Sequence, residues 1–454
     1  MADRLSLSRK LGFTVGDYAC NLYWQGVSIF LLFFYTDAVG LSAATAGFIY
    51  MIASVVDSFC DPVMGTIAER TRTRRGRYRP YILFGAAPLG LAYVFLYWKP
   101  PLSGLVLAAW MLGSHVVFRL AYTVLSIPYT TLNARLTDSS TERSTIAGFR
   151  MIFAVLAGLT ISFFTLRLAG IVGLERPAGF TLAAAVFAGL ATLIFPMVYV
   201  STREPAETPA EVIPPSIGRC WRAVRHNRAF WVLVLSFSAG SVCSVALGKS
   251  VLYYFKYYLK DEAGAQLALT AMAATGIAAI PAWVWVTAKV GKRTAWYIAS
   301  GVGLVLMAIF AVFDIRSSLV MTGWLVAITF NSLGLAFEFW AMLPDTVEYG
   351  ELKGKVRSES IIFGLGQFFL KAGLGIGAGL FGWLLSLAGY KANIVQSPET
   401  LAHLKLLMVA LPTLGLLIAG AGMIFYPMGK GDHEKIVETL AAGSKEASEP
   451  SFVR

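Results

Sequence analysis

Twelve apolar runs divide this chain, near residues 12–38, 42–69, 80–98, 104–132, 145–171, 177–200, 229–258, 264–288, 294–313, 316–344, 359–388 and 402–426. Each reaches the roughly 20 residues that an α-helix needs to cross the hydrocarbon core of a bilayer. Lipid offers no water to the backbone amides, so a crossing segment must satisfy them internally, as a helix or in a closed barrel. Runs of this length predict helices. Of the 454 residues 57% are hydrophobic and only 14% charged, against about 25% charged in soluble domains. The expectation is an all-α, polytopic membrane protein.

Charge placement sets the topology. Arg70, Arg72, Arg74, Arg75, Arg77 and Arg79 fall between runs 2 and 3, whereas the turn between runs 1 and 2 has no basic residue. Positively charged loops stay in the cytoplasm, so both termini are expected there. The loops around Lys289, Lys292 and Arg293 and around Lys353, Lys355 and Arg357 fall on the same side. The net charge of +12 then reflects topology and attraction to anionic lipid, not nucleic-acid binding. The first run follows Arg4, Arg9 and Lys10 and lacks a small-residue cleavage signal, so it reads as a retained span rather than a signal peptide. Cys20, Cys60, Cys220 and Cys243 lack metal-ligand spacing and are expected as free thiols.

Residues 201–228 carry Pro205, Pro209, Pro214 and Pro215 with mixed charge and separate six runs from six. The expected organisation is an N-terminal six-helix bundle over 1–200, a cytoplasmic linker over 201–228, a C-terminal bundle over 229–426 and a cytoplasmic tail over 427–454. The Arg-rich loop has an echo in Val290-Gly291-Lys292-Arg293 after run 8. Parallel repeats with a midplane site between them define the major facilitator architecture.

Function is signalled by polar residues where lipid disfavours them. Asp57 and Asp61 lie four apart in run 2, on one helix face with Cβ atoms about 5 to 6 Å apart. Each carboxylate costs roughly 2.5 to 3.5 kcal/mol at mid-membrane. Repulsion between them either holds a proton or recruits a cation, and a hard ion such as Na+ suits oxygen ligands. An arginine from a neighbouring helix is the plainer partner.

Run 1 repeats the pattern with Asp17, Asn21 and Gln25, flanked by Tyr23 and Trp24, reading either as a cavity lining or as a hydrogen-bonded seam. Run 4 places His115, Arg119, Tyr122 and Ser126 on one face. Arg119 is expected to pair with Asp17, Asp57 or Asp61, or to grip an anionic substrate group. Arg150 in run 5 reads as a counter-ion for the run 2 acids, with snorkelling as the alternative. Lys371 lies twelve residues past Glu359 in run 11, too deep to snorkel. Lys249 and Glu338, in runs 7 and 10, are expected to face the interior as cavity charges, or to neutralise each other.

Gly373-Leu-Gly-Ile-Gly-Ala-Gly379 imitates a phosphate-binding loop, but its context favours close helix packing. No Walker loop, HExxH or GxSxG occurs, so neither ATP-driven transport nor hydrolase chemistry is indicated. The chain is not expected to be an enzyme.

The run Asp57-Ser-Phe-Cys-Asp61-Pro-Val-Met-Gly65 followed by Arg74-Arg-Gly-Arg-Tyr-Arg-Pro80 resembles the signature of the glycoside-pentoside-hexuronide cation symporters. Phe34-Tyr-Thr-Asp-Ala-Val-Gly40, Ile127-Pro-Tyr129, and Asp345-Thr-Val-Glu-Tyr-Gly350 with Arg357 and Glu359-Ser360 extend the resemblance over nearly all of residues 10–426. It implies the major facilitator fold, with Asp57 and Asp61 binding the coupling cation, as metal ligands if that cation is Na+, and a polar contribution from run 4. It also implies that Asp17 meets sugar hydroxyls, and that Arg150 and Lys371 border the ion and substrate sites. Tyr122 and Trp24 are placed to offer ring faces. Where the pattern has an aspartate before Ile127-Pro128, this chain has Ser126. With Arg119, Lys249 and Glu338 also outside the signature, the expected substrate shifts toward an acidic glycoside such as a hexuronide, or another anionic molecule.

The expected activity is symport by alternating access at the plasma membrane, the inner membrane if the source is bacterial. H+ or Na+ is the coupling ion, with no other cofactor, and the protein acts as a monomer in the bilayer. Arg70, Arg74, Arg75 and Arg77 are expected to form a cytoplasmic gate. Three rivals remain: a carrier of amphipathic molecules, a sugar sensor that moves nothing, and a carboxylate enzyme using Asp57, Asp61 and Glu338.

Overall fold

The computed structural model describes residues 6–133, 136, 140–202, 204, 224–354, 359–429, 431–436 and 438–440, the side chains of 140, 141, 143, 144, 354, 359 and 360 excepted. All regular structure among them is helical. The N-terminal half comprises α1 (Leu7–Phe33), α2 (Ala43–Arg70), α3 (Arg79–Leu96), α4 (Gly104–Asn133), α5 (Ser140–Val172) and α6 (Pro177–Ser201). The C-terminal half comprises α7 (Arg228–Tyr253), α8 (Glu262–Val290), α9 (Lys292–Val312), α10 (Ser318–Met342), the short α11 (Asp345–Gly354), α12 (Glu359–Leu387) and α13 (Pro398–Met423). Among the described residues twelve helices are long, and eleven are apolar enough to cross a membrane by length and composition. The exception, α1, carries the Asp17, Asn21 and Gln25 stripe.

Helix ends follow local chemistry. Ser42 and Ser397 cap α2 and α13 by accepting from the Thr45 and Thr400 amides, each at 3.1 Å, and α6 and α13 open with proline. Prolines 62, 88, 128, 196, 281 and 412 lie inside helices, tolerated because neighbouring helices re-satisfy freed carbonyls. Both α1 and α7 end in a π-helical turn, Phe34–Ala38 and Tyr254–Leu259 respectively.

Each half packs upon itself through matching contacts: α1 on α5 and α6, α3 on α4 and α6, and in the other half α7 on α13 and α9 on α10 and α13. The likeness reaches single bonds. Arg79 Nη2 donates to the Tyr199 carbonyl at 2.9 Å, and Arg293 Nη2 donates to the Ile424 carbonyl at 3.2 Å, so the equivalent loops are fastened alike.

The halves meet where α2 lies along α12 and α5 along α8. At the first seam the Gly373–Gly379 segment serves packing. A Cβ on Gly373 or Gly377 would meet the Ser238 or Val242 carbonyl of α7, whereas one on Gly375 or Gly379 would meet Ser54 or Met51 of α2. Gly377 and Gly382 approach closest, since their Cβ atoms would fall 2.4 Å from the Val242 and Ala43 carbonyls. Small residues on two faces wedge α12 between its own half and the other.

The arginines expected to form a gate sit at the end carrying the 70–79 loop. There Glu204 accepts from the amides of Arg77, Tyr78 and Arg79 at 2.6, 2.8 and 2.9 Å, capping α3 from beyond the end of α6. Arg77 is buried, Arg70, Arg74 and Arg75 are exposed, and Arg75 lies 5.3 Å over Phe84. Most of the 201–228 linker, the 441–454 part of the tail, Cys220, Arg357 and the Glu359-Ser360 side chains lie outside the described residues. Cys20, Cys60 and Cys243 are free thiols.

Candidate functional site

Between the halves lies a cleft of about 180 Å³ whose wall includes Trp24 of α1, Asp57 of α2, Arg119 of α4, Lys249 of α7 and Lys371 of α12. Ser28, Tyr50 and Ser54 add hydroxyls to its surface.

Of the acidic doublet, Asp57 lines the cleft and Asp61 lies just outside its wall. The Thr123 hydroxyl faces both carboxylates, 2.8 Å from Asp57 Oδ1 and 3.0 Å from Asp61 Oδ1. Lys371 crosses from the other half to bond Asp61 and stands 3.3 Å from Asp57 Oδ2. Arg119 Nη1 lies 3.5 Å from the same oxygen, while its Nη2 donates to Ser54 Oγ and its Nε to His115 Nε2, both at 3.2 Å. Asp57 is buried, yet its Oδ2 accepts no hydrogen bond. One turn away, Pro62 has no N–H to offer the Ser58 carbonyl, which opens the helix ladder beside the pair. Two carboxylates, one of them with an under-coordinated buried oxygen, and a hydroxyl fit a proton or a hard cation. Among the described residues, no group of three or more His, Cys, Asp or Glu gathers as for a tightly held metal.

Arg119 thus takes the pairing role, with Asp57 as its acid. Arg150 departs from expectation. It grips Asp17 through Nε and Nη2 at 2.7 and 3.1 Å, not the run 2 acids, because α5 packs on α1 rather than α2. Tyr129 donates to the same Asp17 carboxylate at 2.6 Å. Asp17, Arg150, Tyr122 and Ser126 lie outside the cleft wall in this conformation. Tyr122 sits behind Trp24, ring centroids 6.0 Å apart, and the Ser126 carbonyl accepts from Thr130.

Lys249 and Glu338 do not neutralise each other. α7 starts at the 70–79 end, and Lys249 lies 21 residues along it, roughly 31 Å. α10 finishes at that end, and Glu338 lies four residues before its last, roughly 6 Å. Depth alone parts them. Glu338 is fully buried and receives the Thr287 hydroxyl of α8, outside the cleft wall. Lys249 donates to the Ser28 carbonyl across the bundle interface and stands 4.2 Å over the Tyr50 ring.

Thr123, Ser54, Tyr50 and Ser28 escaped the sequence reading. Thr123 had a signal, since 115, 119 and 123 are spaced by four and share a face as well as 122 and 126 do. A second buried cluster went unassigned at the end opposite the 70–79 loop. There Asp37 accepts from Thr36 at 2.8 Å, Lys256 at 2.9 Å, Tyr257 at 2.5 Å and Tyr390 at 2.6 Å, while Asn393 donates to its carbonyl at 2.7 Å. Lys256 and Tyr257 come from the π turn of α7, so the two π turns are bonded to each other.

Two like bundles, a cleft between them and buried charges shared across it define a secondary transporter. The chain belongs to the family described as MFS/sugar transport protein, which matches residues 12–430, and it is one of the glycoside-pentoside-hexuronide cation symporters that its motifs resemble. Its relatives include the isoprimeverose transporter of Lactiplantibacillus pentosus, 29% identical over 430 residues and covering 93% of this chain and 89% of that one. The glucuronide carrier protein homolog of Escherichia coli (strain K12) is 28% identical over 452 residues, 96% of each chain. In fold it is similar to a solved structure from a study of substrate recognition in proton dependent oligopeptide transporters. The TM-score is 0.70 at 12% identity, over 94% of this chain and 99% of that one.

Proposed function

We propose that this transporter couples the movement of a glycoside or related sugar to a cation, H+ or Na+, by alternating access. The observation that carries the reading is the Asp57/Asp61 pair, bonded to Thr123 and held by a lysine from the opposite half. With the Arg-rich loop in the cytoplasm, the Asp37 cluster lies at the outer end, and the conformation is shut to the outside.

Lys371 occupies the carboxylates as a tethered cation. A proton or free cation arriving at Asp57 Oδ2 competes with it, weakening the tie between α2 and α12. The released ammonium can then donate to a sugar hydroxyl, while Ser28, Tyr50 and Ser54 offer further partners. Ion and sugar so favour the same arrangement, and by linkage each raises the affinity for the other. Asp17 with Arg150 is ready to join the substrate path when the halves rock.

The test is uptake into proteoliposomes with Na+ varied at fixed pH, then with pH varied without Na+. Accumulation should follow one of the two gradients. Uptake indifferent to both would overturn coupling, and binding without counterflow would identify a sensor.

A further inference from the structure

The cleft carries more positive than negative charge. Arg119 and Lys371 answer Asp57 and Asp61, two cations against two acids. Lys249 is left over: it is 6% exposed, and among the described residues no carboxylate lies within 4.0 Å of it. Its neighbours, the Ser28 carbonyl and the ring and hydroxyl of Tyr50, both favour the charged ammonium. Neither supplies the counter-charge that a buried ion requires. A lone buried cation in a ligand cleft is poorly compensated until an anion arrives.

The geometry points to Lys249 as the subsite for an anionic group on the substrate, a carboxylate or sulfonate, with the polyhydroxyl part extending toward Asp57 and Lys371. This rests on the transport reading above and narrows its substrate class. It separates two residues that the sequence alone grouped together. Arg119 is committed to Asp57, Ser54 and His115, whereas Lys249 has no acid to leave. The anion gains a charge-assisted bond at the cleft wall. A neutral sugar in the same pose leaves the ammonium uncompensated, so charge is selected by the side chain's isolation.

The test is calorimetric titration of the purified full chain, at fixed Na+ and pH, with matched probes. These are methyl β-D-glucuronide against methyl β-D-glucoside, and methyl α-D-galacturonide against methyl α-D-galactoside. One charged member should bind at least about tenfold more tightly than its neutral partner, as a hydrogen bond to a charged group implies. Lys249→Gln should erase that preference, bringing the charged member to within about twofold of its neutral partner, and Lys249→Arg should keep it. Equal binding within both pairs, a preference that survives Lys249→Gln, or an equal loss for both members would overturn the assignment. Cation dependence of uptake is read separately. Its absence would sink the symport reading without touching the charge preference, and its presence with no preference would sink only the subsite.

Discussion

Asp61, half-buried, and Asp37, fully buried, are both gripped by a lysine from the other half, yet their surroundings differ. Asp61 shares one threonine hydroxyl with Asp57, keeps 17% of its side chain exposed, and borders an oxygen with no hydrogen-bond donor. Asp37 has no exposed side-chain surface and receives three hydroxyls besides Lys256. A carboxylate offers about four lone-pair sites, so Asp37 is saturated and Asp61 is not. The difference teaches that burial alone does not make a coupling site. An exchangeable pair needs vacant coordination and a path, whereas a filled shell makes a fastening.

The strongest way to break this contrast is Asp61→Asn. Accumulation should fall more than about 100-fold, since removing one partner of a buried pair costs about 3–5 kcal/mol. Adding Lys371→Gln should restore thermal stability but not accumulation. Concentrative uptake by either variant would place the coupling ion elsewhere.

Asp37→Asn should leave transport coupled but bias the carrier open at the outer end. A shift of about 2 kcal/mol is roughly thirtyfold in population, read as faster labelling of a Ser28→Cys probe by an impermeant maleimide in a cysteine-free background. Unchanged labelling would show that the cluster is no fastening.

Arg150→Lys keeps the charge but loses the fork on Asp17, and should raise the half-saturating sugar concentration about tenfold with the accumulation ratio intact. Thr123→Val should have the smallest effect, about a threefold rise in the half-saturating cation concentration. An equal rise for sugar would put Thr123 outside the ion site.

The bilayer made most of the fold readable, because a chain in lipid has few alternatives and the long apolar runs expose them. Asp57 and Asp61 were legible for the same reason, since an i, i+4 pair of acids in a span has few innocent readings. What failed was the choice of partner. Asp17, Asp61 and Arg150 lie nine or ten residues from helix ends on one side, so depth could not tell Arg150 which acid to join. Only the packing of α5 on α1 decided it. For Lys249 and Glu338 the depth was informative, and counting residues from each helix end parts them. The Asp37 cluster was hidden differently: Lys256, Tyr390 and Asn393 come from distant stretches of the chain, and no local spacing links them.

The glycine seam between α2 and α12 has a mechanical consequence. Where backbone rides on backbone at Gly47 and Gly382, one rod can slide and tilt on another as on a plain bearing. A single methyl at Gly382, jammed against the Ala43 carbonyl, would act as a doorstop, propping the outer vestibule ajar while every charged residue kept its place.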